Sequence, residues 1–200
     1  DDQLIYEEKD EGFTCSIGIS SDEKYFFIAT SDHATSEIYF FKVNEINPKP
    51  KLFKKRQKEI KYSIDSWNGN FFIHTNLDAE DFKICICKNE NISKWEDYIP
   101  AMKGVLIGSF DLLNKWMIRS EIRDALPKLY VRNLKTEKEE ELVITSETVI
   151  TPGVSLMQKN RDTNKLYIGY NSPKNPGKSY IYDIFTKEKK LVKEEIVPSG

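Results

Sequence analysis

A short apolar pattern returns four times along the chain, each time with isoleucine in its last position. The four copies end at Ile28, Ile73, Ile118 and Ile168, so they are spaced by 45, 45 and 50 residues. A fixed period of this length is typical of repeat architectures, in which each repeat is one supersecondary unit. The pattern therefore predicts four structural repeats in a common phase.

Each repeat also contains the signals of three further strands. An apolar stretch precedes the isoleucine pattern, a second one follows it after ten to twelve residues, and a weaker one closes the repeat. Turn-forming residues such as Asn68 and Gly69 separate the first two strands, which indicates hairpins. The weak closing strands are predicted at 51–53, 94–99, 141–144 and 190–193, and the four units at 13–54, 60–99, 105–144 and 148–194.

Four antiparallel strands for every 45 residues or so is the composition of a β-propeller blade. The second and third strands are apolar almost throughout, as expected when neighbouring blades cover both faces. A β-sandwich or an up-and-down barrel could use as many short strands, but neither requires one phase to return four times. We therefore predict an all-β partial propeller of about four blades, with residues 4–7 as a stray strand of a preceding blade.

The charge of the chain is nearly balanced. Thirty Lys and Arg face 32 Asp and Glu, and this balance offers no electrostatic footprint for nucleic acid or for an anionic membrane. No apolar stretch approaches the roughly 18 residues of a membrane span, and Asp1 is not followed by a signal-like segment. The expectation is a cytoplasmic protein whose sequence begins inside a longer chain.

The cysteines indicate packing and not chemistry. Cys85 and Cys87 lie two apart in an apolar run, so both point to one face of a strand. Neighbouring positions on one face suit core packing better than a disulfide, and no CxxC motif or Cys/His set supports a metal site. We expect reduced cysteines, no metal and no cofactor.

A search for catalytic residues finds no candidate. The G-x-S-x-G elbow of a nucleophilic serine does not occur. His33 is predicted in a hairpin loop and His74 at the end of a second strand, and the run 137–141 is typical of an exposed turn or strand edge. The tryptophans are predicted to pack in or beside the core: Trp67, Trp95 and Trp116. No catalytic, cofactor-binding or metal residue is therefore predicted.

Several short motifs follow one another in an order that is informative as a whole. They comprise residues 4–11, Thr35 to Glu37, Thr75-Asn76, Asp81 to Lys83, Glu121 with Arg123, Tyr170 to Pro173, and 195–200. Together they resemble the propeller domain of oligopeptidase B, or protease II, in the prolyl oligopeptidase family of serine peptidases. Two positions depart from the family pattern, since Ala125 and Ser199 stand where glycine is usual.

The resemblance implies the second half of that family's propeller. It places the Ser, Asp and His triad on an α/β-hydrolase domain outside these 200 residues, so this chain alone is expected to be inactive. Its implied role is to cover the active site and admit short peptides that are cut after Lys or Arg. Its implied partners are the hydrolase domain and the remaining blades of the same enzyme.

Two other functions stay open on the sequence. The chain could be a stand-alone propeller scaffold for binding, or a propeller that binds or cleaves glycans. A run of blades that is not closed also leaves an apolar face at each end, for which we expect self-association.

Overall fold

The computed structural model describes residues 3–88, 91–144, 153–156, 161–170 and 177–196, and of 153–156 the backbone alone. Sixteen strands and no α-helix are formed in these ranges. The strands make four separate antiparallel sheets of four strands, each in sequence order. The predicted all-β architecture is therefore confirmed. The chain divides into two compact units, unit 1 from Asp1 to Lys103 and unit 2 from Gly104 to Gly200.

Unit 1 holds the first two sheets, and each is a simple antiparallel meander. Sheet 1 consists of β1 (Thr14–Ile19), β2 (Tyr25–Ser31), β3 (Ser36–Lys42) and β4 (Lys51–Lys54). Sheet 2 consists of β5 (Tyr62–Trp67), β6 (Asn70–Thr75), β7 (Lys83–Cys87) and β8 (Glu96–Ile99).

Unit 2 repeats this arrangement with two further sheets. Sheet 3 consists of β9 (Val105–Leu113), β10 (Trp116–Arg123), β11 (Leu126–Asn133) and β12 (Glu139–Glu141). Sheet 4 consists of β13 (Gly153–Leu156), β14 (Lys165–Tyr170), β15 (Lys178–Asp183) and β16 (Lys189–Glu194). The isoleucines of the repeat lie on the second strand of each sheet, and all four are buried.

One predicted strand differs from the structure in its bounds, and another stays a prediction. Residues 4–7, predicted as a stray strand of a preceding blade, join none of the four sheets of this chain, so their pairing with another blade stays a prediction. The closing strand of sheet 3 lies at Glu139–Glu141 and not at 141–144. Leu142 and Ile144 follow the end of the strand and are buried. The apolar pattern at 141–144 therefore indicated burial, which was interpreted as a strand.

The hairpin turns follow from the turn residues. Trp67 pairs with Asn70, which leaves Asn68 and Gly69 as a two-residue loop. Both have left-handed backbone angles, with φ of 51° and 76°. This is the geometry of a type I′ turn, which matches the twist of the flanking strands and favours Asn-Gly. The local sequence therefore sets the register of β5 against β6.

Sheets 1 and 2 pack against each other through an aromatic cluster. Phe71 on β6 is fully buried in it, and its ring centroid lies 5.0 Å from that of Tyr25, 5.5 Å from Phe40 and 5.3 Å from Phe53. The Tyr62 hydroxyl donates to the Lys54 carbonyl at 2.6 Å. The core of unit 1 therefore joins both sheets.

Cys85 and Cys87 belong to this cluster and are free thiols, as the sequence predicted. Burial raises the pKa of Cys85 to about 12 and that of Cys87 to about 11. A thiol is nucleophilic only as its thiolate, so both are inert at neutral pH. Their role is packing.

The core of unit 2 is aliphatic. Four side chains of sheet 3 meet three of sheet 4 and Ile184, which follows β15: Leu113, Ile118, Leu129 and Val131 with Leu166, Ile168 and Tyr170. Trp116 packs against this core and donates its indole N–H to Asn164 Oδ1 at 3.0 Å. The backbone N–H of Asn114 donates to the Arg161 carbonyl at 2.7 Å. Sheets 3 and 4 are thus joined by apolar packing and by polar bonds at the first hairpin.

Candidate functional site

Each unit has one end at which its second strands stop, its third strands begin and its fourth strands leave the sheet. We call this the loop end. In unit 1 it is formed by residues 32–35, 55–61 and 76–82, and in unit 2 by the turn at 124–125 and by the residues that follow β12 and β16. Two groups of charged residues lie at or next to these loop ends, one around Arg56 in unit 1 and one around Arg119 in unit 2.

The loops of unit 1 are bonded to one another by the side chains of Thr35 and Asn76, which contact backbone groups of the loop at 55–61. The Asn76 amide donates to the Glu59 carbonyl at 2.9 Å, and its carbonyl Oδ1 accepts from the Lys61 N–H at 2.7 Å. The Glu59 N–H donates to Thr35 Oγ1 at 3.1 Å. Thr35 and Asn76, which belong to the motifs that resemble the family, therefore bond the loops 32–35, 55–61 and 76–82 to one another.

Arg56 joins the segment before β1 to sheet 1. Its Nη2 lies 2.5 Å from Glu8 Oε2 and 3.1 Å from Glu37 Oε1, and its guanidinium stacks 4.0 Å over the ring of Phe13. Burial would raise the pKa of Glu8, but the Asp10 N–H and Arg56 lower it to about 2. Glu8 is therefore ionised at neutral pH, and segment 3–13 is bound by charge to one face of sheet 1.

The second network is a buried chain of ion pairs on β10. Arg119 Nε donates to Glu121 Oε1 at 2.6 Å, and Arg123 Nε donates to Glu121 Oε2 at 2.7 Å. Arg119 also forms a two-pronged pair with Glu139 on β12, with Nη2 2.8 Å from Oε1 and Nη1 on Oε2. The side chains of Arg119 and Glu121 are 2% and 0% exposed. Residues 119, 121 and 123 alternate along the strand, so they share the face opposite Ile118 and the core of unit 2.

The charges of this network stabilise one another. Burial works against the charge of Arg119, but its hydrogen bonds to Glu139 and Glu121 hold its pKa above the ordinary value. Burial likewise opposes the charge of Glu139, and Arg119 keeps its pKa below the ordinary value. Two-pronged Arg–carboxylate pairs are among the strongest hydrogen bonds in proteins. Because every carboxylate here is paired with an arginine, the network suits positioning and not acid–base catalysis.

This network was missed by sequence reasoning. The alternation of Arg119, Glu121 and Arg123 directly after the predicted strand that ends at Ile118 was its visible signal. Glu139 was interpreted as part of a charge run at an exposed turn or strand edge, and β12 is indeed the exposed edge strand of sheet 3. That interpretation did not include the pairing of its carboxylate with the buried Arg119. The pairing depends on the registers of β10 with β11 and of β11 with β12, which the sequence does not display.

The turn after Arg123 carries a strained residue. Asp124 and Ala125 form a two-residue loop with φ of 50° and 60°. The left-handed conformation costs an L-residue other than glycine about 1–2 kcal/mol. Ala125 is one of the two positions at which the sequence departs from the glycine of the family pattern that it resembles.

We expect Ala125→Gly to stabilise the protein. Removal of the Cβ strain outweighs the greater entropy that glycine has in the unfolded chain, so the free energy of unfolding should rise by about 0.5–1 kcal/mol. Urea denaturation followed by fluorescence would measure it. Ala29→Gly in β2 is the matched control and should destabilise by a similar amount. A loss of stability in both variants would show that the turn is not strained.

The two histidines lie apart from both networks. His33 is exposed in the loop after β2, and His74 on β6 stacks on Phe82 with ring centroids 4.6 Å apart. Among the residues that the structure describes, no three His, Cys, Asp or Glu side chains come together as a metal site, and no helix could cross a membrane. Trp95 and Trp116 pack against the cores of units 1 and 2, as predicted.

Comparison with known proteins identifies the fold. Residues 1–195 match the family model described as "Prolyl oligopeptidase, N-terminal beta-propeller domain". The chain belongs to this family. It is similar to dipeptidyl aminopeptidase BI of Pseudoxanthomonas mexicana, with 27% identity over 98% of this chain, and to protease 2 of Moraxella lacunata, with 25% identity over 96%. The resemblance to oligopeptidase B that the motifs predicted is thereby confirmed.

Solved structures of the family share the fold. Oligopeptidase B of Trypanosoma brucei superposes with a TM-score of 0.87 over 96% of this chain at 24% identity, and oligopeptidase B of Leishmania major with 0.85 over 98% at 16%. The chain spans 27% of the length of the two curated relatives and 29% of these two solved chains. The matched region is the propeller domain of prolyl oligopeptidase family enzymes, and the full length of these enzymes is not covered.

Proposed function

We propose that this chain is the non-catalytic propeller part of a serine-type oligopeptidase similar to oligopeptidase B. In this proposal it covers the active site of an α/β-hydrolase domain and limits entry to short peptides, which are cut after Lys or Arg. The observation that carries it is the match of residues 1–195 to a propeller domain of this peptidase family. The names of the curated relatives, a dipeptidyl aminopeptidase and a protease, agree with it.

The two units also have the properties that a cover requires. The loops of unit 1 are bonded to each other through the side chains of Thr35 and Asn76, and the second strand of sheet 3 is held by buried ion pairs. A stiff cover can exclude folded proteins, while its motion relative to a catalytic domain admits small substrates. The loop end of unit 2 is the side that we assign to the catalytic domain, since the fourth strand of sheet 4 leaves there.

The proposal is tested with the full-length enzyme of which this chain is a part. The substrates are a six-residue peptide with Arg before the cut, the same peptide with Gln in place of Arg, and a folded protein that displays the Arg peptide in a surface loop. We expect kcat/KM for the Gln peptide and for the folded protein to be at least 100-fold lower than for the Arg peptide. This chain by itself should cleave none of them.

Three results would contradict the proposal, each in a different part. Equal cleavage of the free peptide and the displayed loop would reject gating. Equal cleavage of the Arg and Gln peptides would reject the specificity. Cleavage by this chain alone would reject the assignment of catalysis to another domain, and no cleavage by the full-length protein would favour the stand-alone binding scaffold.

A further inference from the structure

The fourth strand of sheet 4 is an open sheet edge that is longer than its counterparts. β16 has six residues, whereas the fourth strands of sheets 1, 2 and 3 have four, four and three. It is bonded to β15 on one side and is the last strand of its sheet, so its other side has no strand partner among the described residues. All six of its side chains are exposed. Such an edge presents backbone N–H and C=O groups that can pair with one further strand.

A bulge places two lysines of this edge on one face of the sheet. Lys190 pairs with Ile181 on β15. Lys193 pairs with Ser179, two positions earlier on that strand, so the register shift inserts Val192 as an extra residue between the lysines. Alternate positions of a strand point to one face, so the two β15 partners share a face and both lysines lie on it. We call Lys190 and Lys193 the lysine pair.

The other charged side chains of β16 are engaged within the protein. Lys189 Nζ donates to the Ile144 carbonyl at 2.8 Å. Glu194 Oε1 lies 3.1 Å from Lys178 Nζ. Within the ranges that the structure describes, the side chains of the lysine pair form no ion pair or hydrogen bond. Their positive charges are therefore available to a partner.

The two faces of β16 differ in the side chains that they offer. Leu191 pairs with Tyr180, the neighbour of Ile181, so it points to the face opposite the lysine pair. Leu191 and Val192 are 46% and 49% exposed, which gives an apolar side chain of a partner a surface to contact. Opposite charges that face each other across strands attract, so the lysine pair favours carboxylates on its own face. The edge therefore fits a strand with acidic residues on one face and apolar residues on the other.

A second copy of this chain does not meet that description. Antiparallel pairing of two β16 strands about Leu191 would place Lys189 opposite Lys193, and like charges directly opposite each other destabilise a sheet. We propose that β16 binds an extended polypeptide segment, in which Glu or Asp alternates with apolar residues, as a fifth strand of sheet 4. This interaction goes beyond the proposed function and does not depend on peptidase activity.

Peptide binding to the full-length protein tests this interaction. The probe is a fluorescein-labelled peptide of eight residues in which Glu alternates with Val, and fluorescence anisotropy measures its Kd. A second peptide has Gln in place of each Glu. A third keeps each Glu but is N-methylated at its four central backbone nitrogens, so these cannot donate to a ladder. We expect the second and third peptides to bind about tenfold more weakly than the probe, or weaker still.

Charge reversal at the lysine pair locates the site. Lys190→Glu combined with Lys193→Glu should weaken binding of the probe by about tenfold or more. Lys49→Glu combined with Lys51→Glu is the matched control, because it makes the same change at two exposed lysines at the fourth strand of sheet 1. This control should change Kd by less than twofold. Near-UV circular dichroism verifies that both variants are folded.

The interaction is overturned in distinguishable ways. Equal binding of the N-methylated peptide would mean attraction of charges without an added strand, and equal binding of the Gln peptide would reject the role of the lysine pair. No binding of the probe, or equal losses in the two double variants, would reject β16 as the site. A dimer that the probe dissociates, measured by light scattering, would identify a second copy as the occupant. Binding by a full-length protein that does not hydrolyse the Arg peptide would leave this inference standing while the proposed function fails.

Discussion

Glu121→Gln should lower the free energy of unfolding by about 3–5 kcal/mol, the usual cost of removing one partner from a buried ion pair. The side chain of Glu121 is fully buried, and both of its oxygens accept from arginine, Arg119 at 2.6 Å and Arg123 at 2.7 Å. A glutamine keeps the shape but offers one acceptor and directs an N–H₂ donor toward an arginine donor. The charge of Arg119 then remains buried with Glu139 as its only strong partner among these residues.

A double substitution distinguishes broken pairing from lost packing. Arg119→Met alone should be as costly as Glu121→Gln, because it leaves the Glu121 carboxylate buried. Arg119→Met combined with Glu121→Leu removes both buried charges, so we expect the double variant to be more stable than Arg119→Met alone. Urea denaturation followed by the fluorescence of Trp116, the single tryptophan of unit 2, measures all three.

The control is Lys128→Met at the exposed pair with Glu141, where a loss below about 1 kcal/mol is expected. Glu121→Leu alone completes the comparison. If the double variant loses the sum of the losses of Arg119→Met and Glu121→Leu, the two residues do not act as a unit. A loss at Glu121 no greater than that at Lys128 would show that the buried network does not stabilise unit 2.

The sheets were predictable because the buried positions of each repeat are visible in the sequence as a recurring apolar pattern. Ile28, Ile73, Ile118 and Ile168 recur at nearly constant spacing, and each lies buried on the second strand of its sheet. The turn at Asn68 and Gly69 fixed one register by backbone chemistry alone. Residues 4–7 show where this reasoning stops, since an apolar segment does not state which strand it will pair with, and Leu4 and Ile5 are exposed within this chain.

The site was only partly visible for the same reason. Arg119, Glu121 and Arg123 are close in sequence, and their alternation put them on one face. Glu139 is twenty residues away from Arg119, and the two meet only because of the registers of β10 with β11 and of β11 with β12. The charged residues next to Glu139 in the sequence therefore indicated only an exposed run. Arg56 and Glu8 are separated further still, by 48 positions. Long-range pairing of charges depends on packing that periodicity does not encode.

The largest expected loss from a core substitution is at Phe71. Its ring is fully buried and contacts aromatic rings of sheet 1, among them Tyr25, Phe40 and Phe53. Phe71→Ala removes these contacts and leaves a cavity that the surrounding rings can only partly fill, so unfolding should become easier by about 3–5 kcal/mol. Phe71→Leu retains most of the volume and should cost less than half as much.

Phe185→Ala is the matched control, because it makes the same substitution at an exposed side chain. Its effect should stay within about 0.5 kcal/mol, as for other surface changes. Trp95 reports the difference, since its ring lies 6.0 Å from Phe53 and 5.6 Å from Tyr62 within the same cluster. We expect the emission of Trp95 to shift and the urea midpoint to fall in Phe71→Ala, and neither to change in Phe185→Ala. This result would show that the Phe71 ring holds sheets 1 and 2 together. Equal midpoints in the two variants would mean that the aromatic cluster does not hold unit 1 together.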